Sequence, residues 1–166
     1  RDRNYAVWLH EYLKNFPGMQ DELRYCLITN LPENKDSDFS WKDFQKKNNN
    51  ELVAILGNYI NRVFVLCDKF YDKKVPKLSD DNVDNEIFSE LDDLKEKIEL
   101  SIQNFKFREA MSYVIDVARL GNKYLTDTEP WKIFNENPER VKDIIHNSVQ
   151  IVANISILCE PFIPFT

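Results

Sequence analysis

The stretch Asn48–Tyr71, NNNELVAILGNYINRVFVLCDKFY, decides the fold. At about 100° per residue its apolar side chains do not gather into one stripe. Leu52, Ile55, Leu56, Tyr59, Val63, Leu66 and Phe70 fall on one side, and Val53, Ile60, Phe64 and Cys67 on an adjoining one. The strip left over holds Glu51, Ala54, Asn58, Asn61, Arg62, Val65, Asp68 and Lys69. A helix that is apolar around most of its circumference packs against neighbours on more than one side. The pattern predicts a central helix whose one open strip carries Asn58 and, one turn on, Arg62. Asn48–Asn50, a run of poor helix formers, predicts a kink or restart at its front.

The flanking sequence is also helical in pattern. Upstream, Ser40 is an N-cap, with Asp43 three residues on, for a short helix carrying Trp41 and Phe44. Asn30–Asp38 is a polar loop, Met19–Thr29 a helix with Leu23, Cys26 and Leu27 apolar, and Asn4 can cap a first helix through Tyr5, Val7, Trp8, Glu11 and Tyr12. That helix ends near Phe16–Gly18. Downstream, Asp72–Asp84 is a linker with Pro76, whose DDNVD lacks the spaced ligands and sharp-turn Gly of a calcium loop. Asn85–Phe105 is amphipathic, with Ile87, Leu91, Leu94, Ile98 and Ile102 in one stripe.

Lys106–Leu125 predicts a further helix, with Phe107, Met111, Val114, Ile115, Ala118 and Tyr124 inward. Its Gly121 is either a weak point or a place of close helix approach. Thr126–Glu129 breaks the pattern, Pro130-Trp131 opens a short helix with Pro first, and Asn137-Pro138 starts a last helix to about Cys159. Only 3 Gly in 166 residues leaves little turn chemistry for many strands, and 43% hydrophobic residues can fill a core. The expected fold is all-α, a bundle of about five major helices.

The net charge of −6 argues against nucleic acid taken alone, but it is uneven. Lys42–Lys74 holds seven Lys/Arg against four Asp/Glu, whereas Ser79–Glu99 holds two against nine, so a basic surface on an acidic domain stays open. Cys26, Cys67 and Cys159 lie in apolar helical patterns without a C-x-x-C pair, which reads as buried thiols in a reducing compartment rather than a zinc site. His10 and His146 are far apart in the chain. No Gly-rich phosphate loop, Ser/His/Asp set or metal cluster is legible, so a catalytic role is not expected of these residues. With no run of about 18 apolar residues and no signal peptide, a soluble, cytoplasmic protein is expected. The start at Arg1 suggests a piece of something longer.

Two features remain, and each has two readings. The Asn58, Asn61, Arg62 window is either an ordinary polar face with Arg62 in a surface ion pair, or a binding strip. Trp131 after Pro130 is either a core ring or an exposed one. Taken together they suit single-stranded RNA, whose bases are read by stacking on aromatic rings and by amide and guanidinium hydrogen bonds to their edges.

At these residues the sequence resembles a known family. ELVAILGNYINRVFVLCDKFYD followed by ARLGNKYLTDTEPWK is similar to the anticodon-binding domain of methionyl-tRNA synthetase, a class I enzyme. The opening RNYAVWLHEYLKNFPG…DELRYCL resembles the segment after that enzyme's KMSKS-type loop, most like the bacteroidete versions, and ILCEPFIPFT resembles the end of the helical domain. The resemblance implies residues 1–38 as a helical connector and residues 39–166 as the anticodon-binding bundle. It implies recognition of the CAU anticodon of methionine tRNA, with Trp131 stacking on the wobble cytosine and Asn58 and Arg62 reading base edges. Asn61, Asn122 and Pro130 are implied in the same region.

The resemblance also implies that ATP, Mg and a structural zinc serve the whole enzyme. The HIGH motif, the ATP- and methionine-binding fold and the zinc-bearing insertion are absent from these 166 residues. The chain is therefore expected to need no cofactor and to bind tRNA without aminoacylating it, partnered by a catalytic domain of the same polypeptide and by no membrane. Two rivals stand beside this: the equivalent domain of an isoleucyl, valyl, leucyl or cysteinyl enzyme, and a helical protein-interaction module with Trp131 in its core.

Overall fold

A computed structural model of the chain describes residues 7–32, 38–79 and 84–166. Among these the regular structure is all helical: α1 (Leu9–Asn15), α2 (Gln20–Thr29), α3 (Trp41–Lys47), a π-helical segment (Asn48–Gly57), α4 (Asn58–Tyr71), α5 (Asn85–Gln103), α6 (Phe107–Thr128), the short α7 (Pro130–Ile133) and α8 (Pro138–Cys159). The Asn4 cap, most of the Asn30–Asp38 loop and most of the DDNVD run lie outside the described residues. Ser40 caps α3 as its position predicts, its Oγ accepting from the Asp43 N–H at 3.1 Å.

The centre of the bundle is α6, not the stretch Asn48–Tyr71. Ala110, Met111, Val114, Ile115, Val117, Ala118, Gly121, Tyr124 and Leu125 of α6 are all buried. The helix packs against α5 and α8, and also meets α2, α4 and the π-helical segment. From Trp41 to Tyr71 the backbone stays helical, so no break occurs at Asn48–Asn50. Lys47, Asn48, Gly57 and Asn58 all keep right-handed helical angles. Asn48 is buried and its amide donates to the Phe44 carbonyl at 2.9 Å, which offsets its poor propensity.

Of the second apolar side predicted for this stretch, Cys67 is buried and Ile60 packs against the core, but the other two positions are uncovered. Val53 is 63% and Phe64 55% exposed. A π-helix bonds i to i+5 and turns less per residue than an α-helix, so positions assigned with the 3.6-residue period rotate out of register. Within α4 itself, the buried residues are Tyr59, Val63, Leu66 and Cys67. Phe64 lies beyond that face.

Other predicted boundaries shift for local reasons. α6 continues to Thr128, with the Thr126 and Thr128 hydroxyls donating to the carbonyls of Asn122 and Tyr124, at 2.9 and 2.6 Å, within the helix. Glu129, at φ 40°, then ends it and turns the chain into Pro130. Phe107 was expected inward but is 38% exposed, since α5 ends at Gln103 and Phe105, at φ 59°, turns the chain outward just before it. All three cysteines are free and buried, and burial pushes the Cys159 thiol up to about 12.

The described parts of the linker from α4 to α5 are tied down. Ser79 donates its N–H and Oγ–H to the buried Asp143 carboxylate of α8, at 2.9 and 2.5 Å. Just beyond it, Asp84 receives a two-pronged contact from Arg140 at 2.8 and 2.9 Å and the Tyr124 hydroxyl. Burial alone would raise the Asp84 carboxyl; the Arg140 fork and the Tyr124 hydroxyl outweigh it and hold the group below its usual value. A depressed carboxylate contributes stability that is present above its unfolded value, about 3.9, and lost as pH falls through the folded one. Asp84→Asn is therefore expected to lower stability at neutral pH by about 1–3 kcal/mol. Urea melts of variant and parent should converge as pH drops below about 4; a pH-independent difference would contradict this assignment.

Candidate nucleic-acid interface

The polar strip of α4 and the turn at Pro130 meet on one surface. α4 brings Asn58 and Arg62 to the edge of α6, where Asn122 waits between them. The amide of Asn122 has its orientation set by two backbone acceptors, the carbonyls of Ile55 and Ala118, each 3.0 Å from its Nδ2. Its Oδ1 then faces α4 and accepts from Arg62 Nη1 at 3.0 Å and from Asn58 Nδ2 at 3.3 Å. Ile55 lies in the π-helical segment, a kind of turn that recurs at functional sites.

What makes this meeting possible is a close approach of α4 to α6. Gly121, the neighbour of Asn122, lies against the ring of Tyr59: a Cβ there would come within 2.2 Å of Tyr59 Cζ. Tyr59 is fully buried, and its hydroxyl donates to the Ser148 carbonyl of α8 at 3.0 Å. Burial raises the pKa of that phenol, so the hydroxyl keeps its proton and its bond.

Trp131 completes the surface from the other side. Glu129 turns the chain, Pro130 is buried at the first position of α7, and Trp131 projects outward, 39% exposed. The Arg62 guanidinium lies over its ring at 5.7 Å from the centroid, within cation–π range. Among the described residues, Arg62 thus touches a Trp face and an amide oxygen, rather than a carboxylate. Only one of its five N–H donors goes to Asn122, so donors are left over for a ligand.

The predicted residues therefore divide. Asn58, Arg62, Asn122 and Trp131 come together; Asn61 is exposed on the same strip of α4 but has no part in this network of contacts, and Pro130 is buried and shapes the turn. Periodicity missed the role of Asn122 as the hub, since its partners sit far away in the chain. It also missed Phe134, one turn after Trp131, whose ring stacks on Phe70 at 4.2 Å. Both aromatic positions are legible in the sequence, but their contact is not. Among the described residues no group of three or more His, Cys, Asp or Glu could hold a metal, and no helix is long and apolar enough to cross a membrane.

Known proteins carry the same arrangement of sequence. Residues 75–166 match the family described as "Anticodon binding domain of methionyl tRNA ligase", and residues 1–64 match "tRNA synthetases class I (M)". The methionine–tRNA ligase of Cytophaga hutchinsonii is 58% identical over 99% of this chain and 24% of its own length. That of Flavobacterium johnsoniae is 53% identical over 99% of this chain and 23% of its own. Among solved structures, Mycobacterium tuberculosis methionyl-tRNA synthetase superposes with a TM-score of 0.78 in its free state and 0.79 with methionyl-adenylate. It is 21% identical, covering 87% of this chain and 30% or 29% of that one, and supports the fold alone.

The bundle is thus a helical domain of the class I tRNA synthetases. Within that class the chain belongs to the family of the anticodon-binding domain of methionyl-tRNA ligase, whose match covers more than half of its residues. It spans about a quarter of the length of the curated relatives it matches.

Proposed function

We propose that this chain binds the anticodon loop of methionine tRNA and reads its CAU sequence, within a longer cytoplasmic ligase that joins methionine to tRNA using ATP. The observation that carries the reading is the joint surface of Trp131, Arg62, Asn58 and Asn122: a half-exposed ring beside a guanidinium and an amide, both held to Asn122, which is itself held by two backbone carbonyls. An unstacked cytosine can lie on the Trp131 face and offer its edge to Arg62 and Asn58. A base with the wrong edge leaves a desolvated donor or acceptor without a partner, at about 1–3 kcal/mol each, which is enough to discriminate.

Asn61 is proposed to contact the loop from the same strip, and Pro130 to hold the Trp131 turn. The local excess of Lys and Arg between Lys42 and Lys74 favours contact with a phosphate backbone despite the acidic total. Aminoacylation, with its ATP, Mg and structural zinc, would belong to the rest of such an enzyme; residues 1–38 would connect that catalytic part to the bundle.

The test is a fluorescence titration of the chain with a CAU stem-loop and with stem-loops altered at the wobble cytosine. CAU is expected to bind about 5- to 100-fold tighter than the UAU loop. Equal affinity for all loops, or none for any, would sink the reading. Selective binding of a loop with another amino acid's anticodon would favour a related class I enzyme instead.

A further inference from the structure

Trp131 sits on a helix of only 4 residues, Pro130–Ile133, far shorter than a helix that holds itself in water. Its ring is 39% exposed, so burial of the ring does not fix its direction either. The direction has to come from what pins the turn. On the near side Pro130 is buried. On the far side Phe134, the residue that ends the turn, lies nearly flat on Phe70, with centroids 4.2 Å apart and planes at 17°. Tyr71 meets the Phe134 ring edge-on, at 6.4 Å and 75°. An aromatic pair of this kind contributes about 0.5–1.5 kcal/mol beyond its buried area, which is substantial for a turn of so few residues.

Phe70 and Tyr71 are the last residues of α4, the helix that also carries Asn58 and Arg62. Arg62 and Phe70 are roughly two turns apart on it. Both halves of the surface, the stacking ring and the polar readers, are thus referenced to one rigid element. We propose that the Phe70–Phe134 stack is the positioning device of the site: it sets where the Trp131 ring stands relative to the Arg62–Asn58–Asn122 group, and so where a stacked base would meet the polar readers. Phe70 and Phe134 touch no base in this account; they act through Trp131. The inference rests on the anticodon reading above.

The experiment uses the chain with Trp8→Phe and Trp41→Phe, which leaves Trp131 as its sole tryptophan. Phe134→Leu keeps an apolar side chain but cannot stack; Phe134→Tyr keeps the stack; Phe70→Leu removes it from the other side. Acrylamide quenching and anisotropy of Trp131 are read in the free protein, followed by titrations with CAU and UAU stem-loops. Phe134→Leu and Phe70→Leu are each expected to make Trp131 more quenchable and less anisotropic, to weaken CAU binding about three- to tenfold, and to narrow the CAU-to-UAU ratio. Phe134→Tyr should restore all four.

The inference is overturned if Phe134→Leu binds both loops as the parent does, or if affinity falls with Trp131 quenching unchanged. It also falls if Tyr does not rescue, or if both Leu variants lose the cooperative helical melt, which would make the stack a support of the fold and no more. A single-tryptophan parent that binds neither loop sinks the anticodon reading, and this inference with it. A parent that discriminates while Phe134→Leu is silent sinks this inference alone.

Discussion

Replacing Trp131 with alanine is expected to weaken binding of a CAU stem-loop by about 1–3 kcal/mol, roughly 5- to 150-fold in Kd, because that is what one base stacked on one aromatic ring contributes. Far-UV circular dichroism and the melting midpoint are expected to stay near the parent's. The ring is 39% exposed and borders Arg62 rather than the core formed by α6 and α8. Stacking tolerates every base, so the variant should lose affinity for both loops; the CAU loop should lose somewhat more, because the ring also holds the base against Arg62 and Asn58. The preference between them should survive in part through Arg62 and Asn58. A variant that unfolds would show instead that Trp131 is a core residue, and one that binds as tightly as the parent would remove the ring from the site.

Gly121→Ala is expected to cost about 2–4 kcal/mol of stability, read as a lower urea midpoint with the m-value unchanged. The new Cβ would stand 2.2 Å from Tyr59 Cζ and 2.6 Å from both Cε atoms. That ring has nowhere to go: Tyr59 is fully buried and its hydroxyl is held by the Ser148 carbonyl at 3.0 Å. Either the ring shifts and orphans a buried hydroxyl, or α6 and α4 part and the core loosens. The gain in helix propensity on replacing Gly, about 1 kcal/mol, opposes this but is smaller. Parting the helices would also pull Asn122 from Asn58 and Arg62, so loop binding should fall with stability. A neutral or stabilised Gly121→Ala variant would contradict the close approach.

The two substitutions separate what each level of description can reach. From the chain alone, Gly121 has two meanings with opposite signs: a weak point that alanine would strengthen, or a contact that alanine would break. Periodicity along α6 cannot choose, because the atom that decides belongs to Tyr59, on another helix. Trp131 posed the same difficulty. Its place after Pro130 predicts a turn, and the turn is there, but whether the ring points in or out depends on Phe134 finding Phe70. The failures along Asn48–Tyr71 have a different origin. An angular period of 3.6 residues does not hold in a segment that winds as a π-helix, so it turns Val53 to the wrong side.

By itself, then, the sequence determined the helical class, through its scarcity of Gly and its apolar spacing. It also determined the helix starts at Ser40, Pro130 and Asn137-Pro138, because caps and proline act within one turn of themselves. It further determined the short list of polar and aromatic residues from which a base-reading surface can be built. The tertiary structure alone decided that α6 is the central helix and that Asn122 is the hub joining Asn58 to Arg62. It alone set the Trp131 ring beside them. Those are contacts between residues far apart in the chain, and they depend on helix separation and ring orientation, which no local periodicity encodes.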